Sequence, residues 1–235
     1  RCPTVGPKWP SFPSDMPRSA RVVVPGYPHH VTQRGARKQR TFFTDDDYRE
    51  YLRLVQHALP KAGIEIWAYC LMPNHVHFVA VPEAQDGLAA LFKEAHRRYT
   101  RYVNFREGWK GHLWQERFYS FCMDERHLLA AVRYIELNPV RSGLCRRPRD
   151  WPWSSVHAHQ DGVSDPLLSL PSILAEIRDW SAYLGRQDTS VRLETMRLHG
   201  RTGRPAGDDV FVARLESLIG RNLRKQKPGP KPGDK

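Results

Sequence analysis

What the chain lacks excludes several classes at once. Its 235 residues hold four cysteines, Cys2, Cys70, Cys122 and Cys145, and no C-x-x-C pair. That scatter speaks for reduced thiols in a cytosol and against a disulfide framework or a cysteine zinc site. No apolar stretch approaches the roughly 20 residues needed to span a bilayer. No hydrophobic core of the signal-peptide kind stands near the N-terminus. A Gly-rich phosphate loop and an internal repeat are absent too, which removes P-loop and solenoid architectures. Acid is also in short supply. The 25 Asp+Glu face 37 Lys+Arg, giving a net charge of +12 and a pI near 9.8. A surface this basic repels itself unless it meets a polyanion, so nucleic acid is the expected partner. A membrane surface is disfavoured, because no basic amphipathic segment stands apart from the body.

Three zones follow in order. Residues 1–20 read as a disordered, Pro-rich tail in which Met16 is the expected natural start. Residues 21–160 carry dense strand and helix signals. Residues 161–235 alternate short helical stretches with Gly and Pro, then close on a basic, disordered tail.

In the central zone His29 to Arg34 reads as a strand ended by Gly35. Asp45, Asp46 and Asp47 supply an N-cap and first-turn acids for a helix to about Ala62, with Tyr48, Tyr51, Leu52, Val55 and Leu59 at helical spacing. Ile64 to Leu71 and His75 to Val81 form a hairpin through Met72-Pro73-Asn74. Asp86 caps a second helix reaching about Phe105. Tyr119 to Met123 is a fourth strand, and Asp124 caps a third helix that Pro139 ends. Strand, helix, strand, strand, helix, strand is the split βαβ plan. It predicts an α+β fold, an antiparallel sheet with helices on one face and the other face open for a ligand.

On a strand, residues two apart share a face, so His75 and His77 project together while Val76 turns to the helices. They are either two ligands of one metal ion or a pair of exposed surface histidines. The third helix adds Tyr134 and Asn138, one turn apart and on one face with His127 and Ala130. Leu128, Val132 and Ile135 form a separate stripe that should pack on the sheet. Tyr134 is thus spared from the core seam, and is either a nucleophile or an interfacial tyrosine. A free tyrosine hydroxyl ionises near pH 10, so attack on a phosphodiester needs a cation that draws charge from the phosphate. Asn138 stands where its amide oxygen could join the histidines. Tyr99 and Tyr102 lie on the continuous apolar stripe Leu88, Leu91, Phe92, Ala95 and Val103, which reads as core.

Three ordered segments carry a resemblance. They are Pro28-His29-His30-Val31-Thr32-Gln33-Arg34-Gly35, then Ala68-Tyr69-Cys70-Leu71-Met72-Pro73-Asn74-His75-Val76-His77, then Tyr134-Ile135-Glu136-Leu137-Asn138-Pro139-Val140-Arg141. With these intervals the chain, from about Met16 to Ser155, resembles the REP-associated tyrosine transposases, of the single-tyrosine HUH superfamily of bacteria. The resemblance implies a ferredoxin-like or RRM-like HUH domain with a C-terminal helical extension. It implies His75 and His77 as metal ligands for Mg²⁺ or Mn²⁺, and Tyr134 as the residue linked to a 5′-phosphate. Asn138 stands where relatives often carry a longer Gln as third ligand. The implied substrate is single-stranded DNA folded as a repeated palindromic hairpin, and the implied place is the bacterial cytoplasm at the nucleoid. A monomer is the usual state in this branch, while related insertion-sequence enzymes are dimers.

Arg34, Arg37, Lys38 and Arg40 flank the exit of the first strand, and Arg133 and Arg141 bracket Tyr134. All are expected to hold phosphates, as are Arg221, Arg224, Lys225 and Lys227 further on. Lys93, Arg97, Arg98, Arg101 and Arg106 line the outer side of the second helix as DNA contacts or as a solvated face. Trp114 and Phe118 are stacking platforms or packed rings. Two other functions compete: a hairpin-binding module that no longer cuts, and a zinc hydrolase built on two histidines. The hydrolase lacks a third carboxylate ligand beside the pair and leaves Tyr134 without a role.

Overall fold

The computed structural model describes residues 21–186 and 190–224. The two expected tails, with Met16, Lys225 and Lys227, lie outside the described residues. The central zone forms β1 (His29–Arg34), α1 (Asp45–Ala62), β2 (Ile64–Met72), β3 (His75–Pro82), α2 (Gly87–Glu107), β4 (Tyr119–Cys122) and α3 (Glu125–Glu136). Then follow α4 (Asn138–Arg141), α5 (Val156–Asp161), α6 (Ser172–Ala175), α7 (Trp180–Gly185), α8 (Ser190–Thr202) and α9 (Asp209–Ile219). The strands pair antiparallel in the order β2-β3-β1-β4. Two interleaved βα units put β1 and β3 at the centre, which is the split βαβ plan.

The helix starts show local chemistry at work. Thr44, not one of the three aspartates, is the N-cap of α1. Asp47 reaches back instead, accepting from the Phe43 and Thr44 amides at 2.7 and 3.0 Å. Asp124 caps α3 as expected, accepting from the His127 amide at 2.8 Å. The helix α3 ends at Glu136, ahead of Pro139 as expected. Leu137 keeps helical φ/ψ at the junction, and Pro139 falls in the first turn of α4, where its missing N–H costs nothing.

One sheet face packs under α1 and α2. Val31, Val76, Phe78 and Ala80 meet Tyr51, Val55, Leu91, Phe92, Ala95 and Tyr99. Tyr99 is fully buried and donates its hydroxyl to the Thr41 carbonyl at 2.7 Å. It is a core residue. Trp114 and Phe118 belong to the same cluster, so their rings are packed rather than offered to bases. The cations of α2 are partly engaged as well: Arg97 and Arg98 pair with Glu94, and Arg106 with the buried Asp47.

The second face, expected to be open, is covered over much of its area and stays open at one end. Ala68, Cys70, Met72, Val79 and Phe121 are covered by Leu128, Ala131, Val132 and Ile135 of α3, and by Trp180, Tyr183, Leu184 and Met196. Apolar residues on this face and on the α3 stripe each need a cover, and burying Val132 or Ile135 is worth roughly 2 kcal/mol each. A bulge between Ile66 and Ala68 swaps the faces along β2. Ile64 and Ile66 before it, and Tyr69 and Leu71 after it, all reach the α1–α2 side.

The C-terminal stretch is built onto this face. The fully buried Glu136 carboxylate accepts from Ser155 Oγ at 2.7 Å, His159 Nδ1 at 2.6 Å and Trp180 Nε1 at 2.7 Å. That single group ties α3 to the Trp153–Ser155 segment, α5 and α7. Further on, the Ala206 main chain pairs with Cys122 and Asp124 at 2.8 and 3.0 Å. Leu215 and Leu223 then pack on Val22, Val24 and Cys122. Cys70, Cys122 and Cys145 are free thiols. Among the described residues no helix is long and apolar enough to cross a membrane.

Candidate active site

Among the described residues, part of the second face stays uncovered. Period-two alternation puts His30, Thr32 and Arg34 of β1 on the same side as His75 and His77 of β3, with Thr32 opposite His77 and Arg34 opposite His75. These five residues line a cavity of about 1040 Å³ with Tyr119, Tyr134, Asn138 and Arg201. Tyr134 comes from α3 and presents its ring edge-on to both inner histidines, with centroids 5.8 Å from His77 and 6.1 Å from His30. Arg141 fixes it from outside. The guanidinium lies 5.1 Å from the Tyr134 ring centroid and donates to the Tyr134 carbonyl at 2.8 Å.

The histidines are poised to give lone pairs, not to carry charge. Burial, helped by Arg34, pushes His75 down to about 4. Burial alone takes His30 to about 4. His77 falls well below its usual value, through burial first and then the neighbouring His75, His30 and Arg34. Neutral imidazoles are the form that binds a metal.

Each proposed ligand has its far nitrogen already occupied. His75 Nδ1 lies 2.6 Å from Asn74 Oδ1, which leaves Nε2 for a ligand. His77 Nδ1 is bonded to His30 Nε2 at 2.9 Å, and His77 Nε2 is buried with no partner. An unpaired buried nitrogen is costly, and this one, like His30 Nδ1 beside it, is available to a ligand or a water. Asn138 is also buried at the cavity wall, with its Nδ2 unbonded. The amide could turn its oxygen inward by a half rotation. No group of three His, Cys, Asp or Glu that could hold a metal occurs among the described residues. Two imidazoles and one amide are fewer than the four N or S donors of a structural zinc site, so an ion held here would keep open coordination positions.

The other expected residues divide. Arg34 is at the cavity. Arg37, Lys38 and Arg40 are exposed on the turn after β1, and Arg37 and Lys38 have left-handed backbones with φ of 54° and 63°. Arg133 is not at the site. It is buried, and its guanidinium lies 5.7 Å from the Tyr183 ring centroid. Arg221 and Arg224 line a second cleft of about 910 Å³ with Arg21, Arg117, Arg201 and Arg204. The cavity and the cleft share Tyr119 and Arg201. Sequence reasoning missed His30, Asn74 and Arg201. His30 was discoverable, being two residues from Thr32 and four from Arg34 on one strand face. Arg201 was not, since only the fold returns α8 to the cavity.

Comparison with known proteins shows the family. The family described as "Transposase IS200 like" matches residues 24–138. A REP-associated tyrosine transposase of Escherichia coli K12 is 28% identical over 110 residues, 45% of this chain and 64% of that protein. A Haemophilus influenzae protein provisionally given the same name is 30% identical over 126 residues, 49% of this chain and 72% of that protein. The chain belongs to the REP-associated tyrosine transposases. The match to the E. coli relative spans just under two thirds of that protein's length. A solved structure of a REP-associated tyrosine transposase bound to a REP hairpin shares the fold. Its TM-score is 0.55 at 22% identity, covering 74% of this chain and all of that one. In this transposase the family match ends at Asn138, so it contains every histidine of the cavity and Tyr134. Arg141, α8 and most of the arginine cleft lie beyond it.

Proposed function

We propose that this transposase cuts and rejoins single-stranded DNA beside a palindromic hairpin, through a covalent bond between Tyr134 and a 5′-phosphate. The observation that carries the reading is the unpartnered, buried His77 Nε2 in one cavity with the edge of Tyr134. His75, His77 and Asn138 would hold the Mg²⁺ or Mn²⁺, which supplies charge withdrawal from the phosphate when bound. The chain's own groups do the rest. His30 and Asn74 keep the two ligand imidazoles in register. Arg141 holds the tyrosine ring, and Arg34 offers a cation beside His75. Attack forms the bond from Tyr134 Oη to phosphorus and breaks the bond to the 3′ oxygen, and the phenol proton ends on the released 3′-hydroxyl. Rejoining is the reverse, with a 3′-hydroxyl attacking the phosphotyrosine.

The DNA is held at two places. The turn bearing Arg37, Lys38 and Arg40 flanks the cavity, and the arginine cleft along β4 accepts backbone phosphates of the hairpin, reading charge and shape rather than sequence. The REP hairpin bound by the solved relative is the pattern for this partner. Such a substrate places the protein in the cytoplasm with the chromosome. A module that binds hairpins without cutting needs only the cleft, and one experiment separates the two readings. A 5′- and 3′-labelled hairpin oligonucleotide with Mg²⁺ should give a protein–DNA adduct resistant to denaturation, lost in Tyr134→Phe and kept in Tyr99→Phe. Tight binding with no adduct from any tested strand would establish the binding module instead.

A further inference from the structure

The turn after β1 and the hairpin before β3 are joined by one side chain. Asn74 Nδ2 donates to the Lys38 carbonyl at 3.0 Å, and Asn74 Oδ1 meets His75 Nδ1 at 2.6 Å. These two contacts determine each other. A carbonyl only accepts, so the atom facing Lys38 is the amide nitrogen, and the oxygen therefore faces His75. That oxygen in turn only accepts, so His75 Nδ1 carries the hydrogen and Nε2 holds the lone pair. The Asn74 main chain grips the other end of the turn, its carbonyl accepting from the Gly35 amide at 2.8 Å.

The turn needs such a grip. Arg37 and Lys38 are consecutive non-glycine residues in the left-handed region, at φ of 54° and 63°. An L side chain disfavours that backbone, and it persists only where the surroundings hold it. Gly35 admits no side chain, because a Cβ there would run into the Gln39 carbonyl and the Thr41 methyl. Strained backbone, exposed cations and a ligand histidine thus meet on one amide.

From this geometry we infer that Asn74 is a positioning residue with two simultaneous tasks: it fixes the His75 tautomer for metal binding and locks the basic turn that faces the DNA. This rests on the reading of His75 and His77 as metal ligands. Phosphate capture by the turn and metal capture by His75 are thereby mechanically linked, so ordering either side favours the other. A substitution that cuts one contact and keeps the other should separate the tasks. Asn74→Asp keeps an acceptor for His75 and removes the donor to Lys38. Asn74→Ala removes both.

Two readouts on DNA-free protein test this: Mn²⁺ affinity by electron paramagnetic resonance, and the rate of tryptic cleavage after Arg37 and Lys38 in EDTA. Asn74→Ala should weaken Mn²⁺ by about 10- to 100-fold, the usual effect of removing such a support, and should be cut faster in the turn. Asn74→Asp should be cut as fast as Asn74→Ala yet stay within about threefold of the unmodified protein in Mn²⁺ affinity. If Asn74→Ala fails to fold, Asn74→Asp decides alone. Altered proteolysis with retained Mn²⁺ affinity supports the inference, and any other combination overturns it. Unchanged Mn²⁺ affinity in Asn74→Ala also overturns it. Should the unmodified protein bind Mn²⁺ no better than His77→Ala, the ligand assignment itself has failed, and that outcome is distinct from the other two.

Discussion

The histidine cavity and the arginine cleft adjoin along β4, yet they are built from opposite chemistry. The cavity is lined by imidazoles that burial holds neutral, with His30 Nδ1 and His77 Nε2 left without a protein partner. The cleft gathers six arginines, of which Arg224 has acids at its rim, 3.7 Å from Glu216 and 4.0 Å from Asp209. Bare lone pairs suit a cation and bond-making. Guanidinium groups suit phosphates and holding. The division teaches that chemistry and affinity should respond to different perturbations, the first to metal and the second to salt. Tyr119 and Arg201, common to both, are where the separation should fail.

The largest effect should follow from Tyr134→Phe. Loss of the hydroxyl should lower adduct formation beyond detection, by about 10³-fold or more, while hairpin affinity and thermal midpoint hold. An adduct surviving in Tyr134→Phe would move the nucleophile elsewhere. Next comes His77→Ala. Mn²⁺ affinity should fall by about 100-fold and cleavage with it, and EDTA should do the same to the unmodified protein. Hairpin affinity in EDTA should match in both. Loss of that affinity in His77→Ala would join the two regions into one.

A smaller effect tests the cleft. Arg117→Ala or Arg204→Ala should weaken hairpin binding by about 3- to 10-fold and lower the salt slope by about 0.7 to 0.9. Single-turnover cleavage at saturating DNA should stay within about twofold. Arg201→Ala should disturb both quantities, and if it behaved like Arg204→Ala the shared border would be wrong. These point changes are cleaner than truncation after Gly203, which would also strip Ala206, Leu215 and Leu223 from β4 and the N-terminal segment.

The smallest effect concerns folding alone. Burial holds His29 near 4 and His96 near 3. In the unfolded chain both titrate near 6.5, so below that pH the unfolded state binds more protons. Stability should be full above about pH 6.5 and decline as pH falls, by up to about 1.4 kcal/mol per pH unit for each group. Urea midpoints between pH 7.5 and 5.5 measure this, and His96→Phe should flatten the curve in part. A flat curve in the unmodified protein would mean that these rings accept protons where they stand.

Much of this protein was determined by short-range patterning. Alternation on β3 placed His75 and His77 on one face, and helical spacing set Leu128, Val132 and Ile135 against the sheet with Tyr134 beside the seam. The same spacing consigned Tyr99 to the core. Those readings held because strand and helix periods are local properties, and because each apolar stripe had one obvious place to go. Where two outcomes shared a local signature, only the tertiary structure decided. Arg133 precedes Tyr134 by one residue, and the roughly 100° step of the helix carries it away from the cavity, onto Tyr183. His30 faces His77 because the register of β1 on β3 puts Thr32 opposite it, a pairing no single strand encodes. The bulge in β2 exchanged faces in mid-strand. Part of the second face closed because α3 packs on it and α7 and α8 fold back over it, anchored through Glu136 and Trp180. Long-range contacts of this kind follow from which surfaces remain to be buried once the local elements exist, and that is a property of the assembled sheet rather than of any one segment.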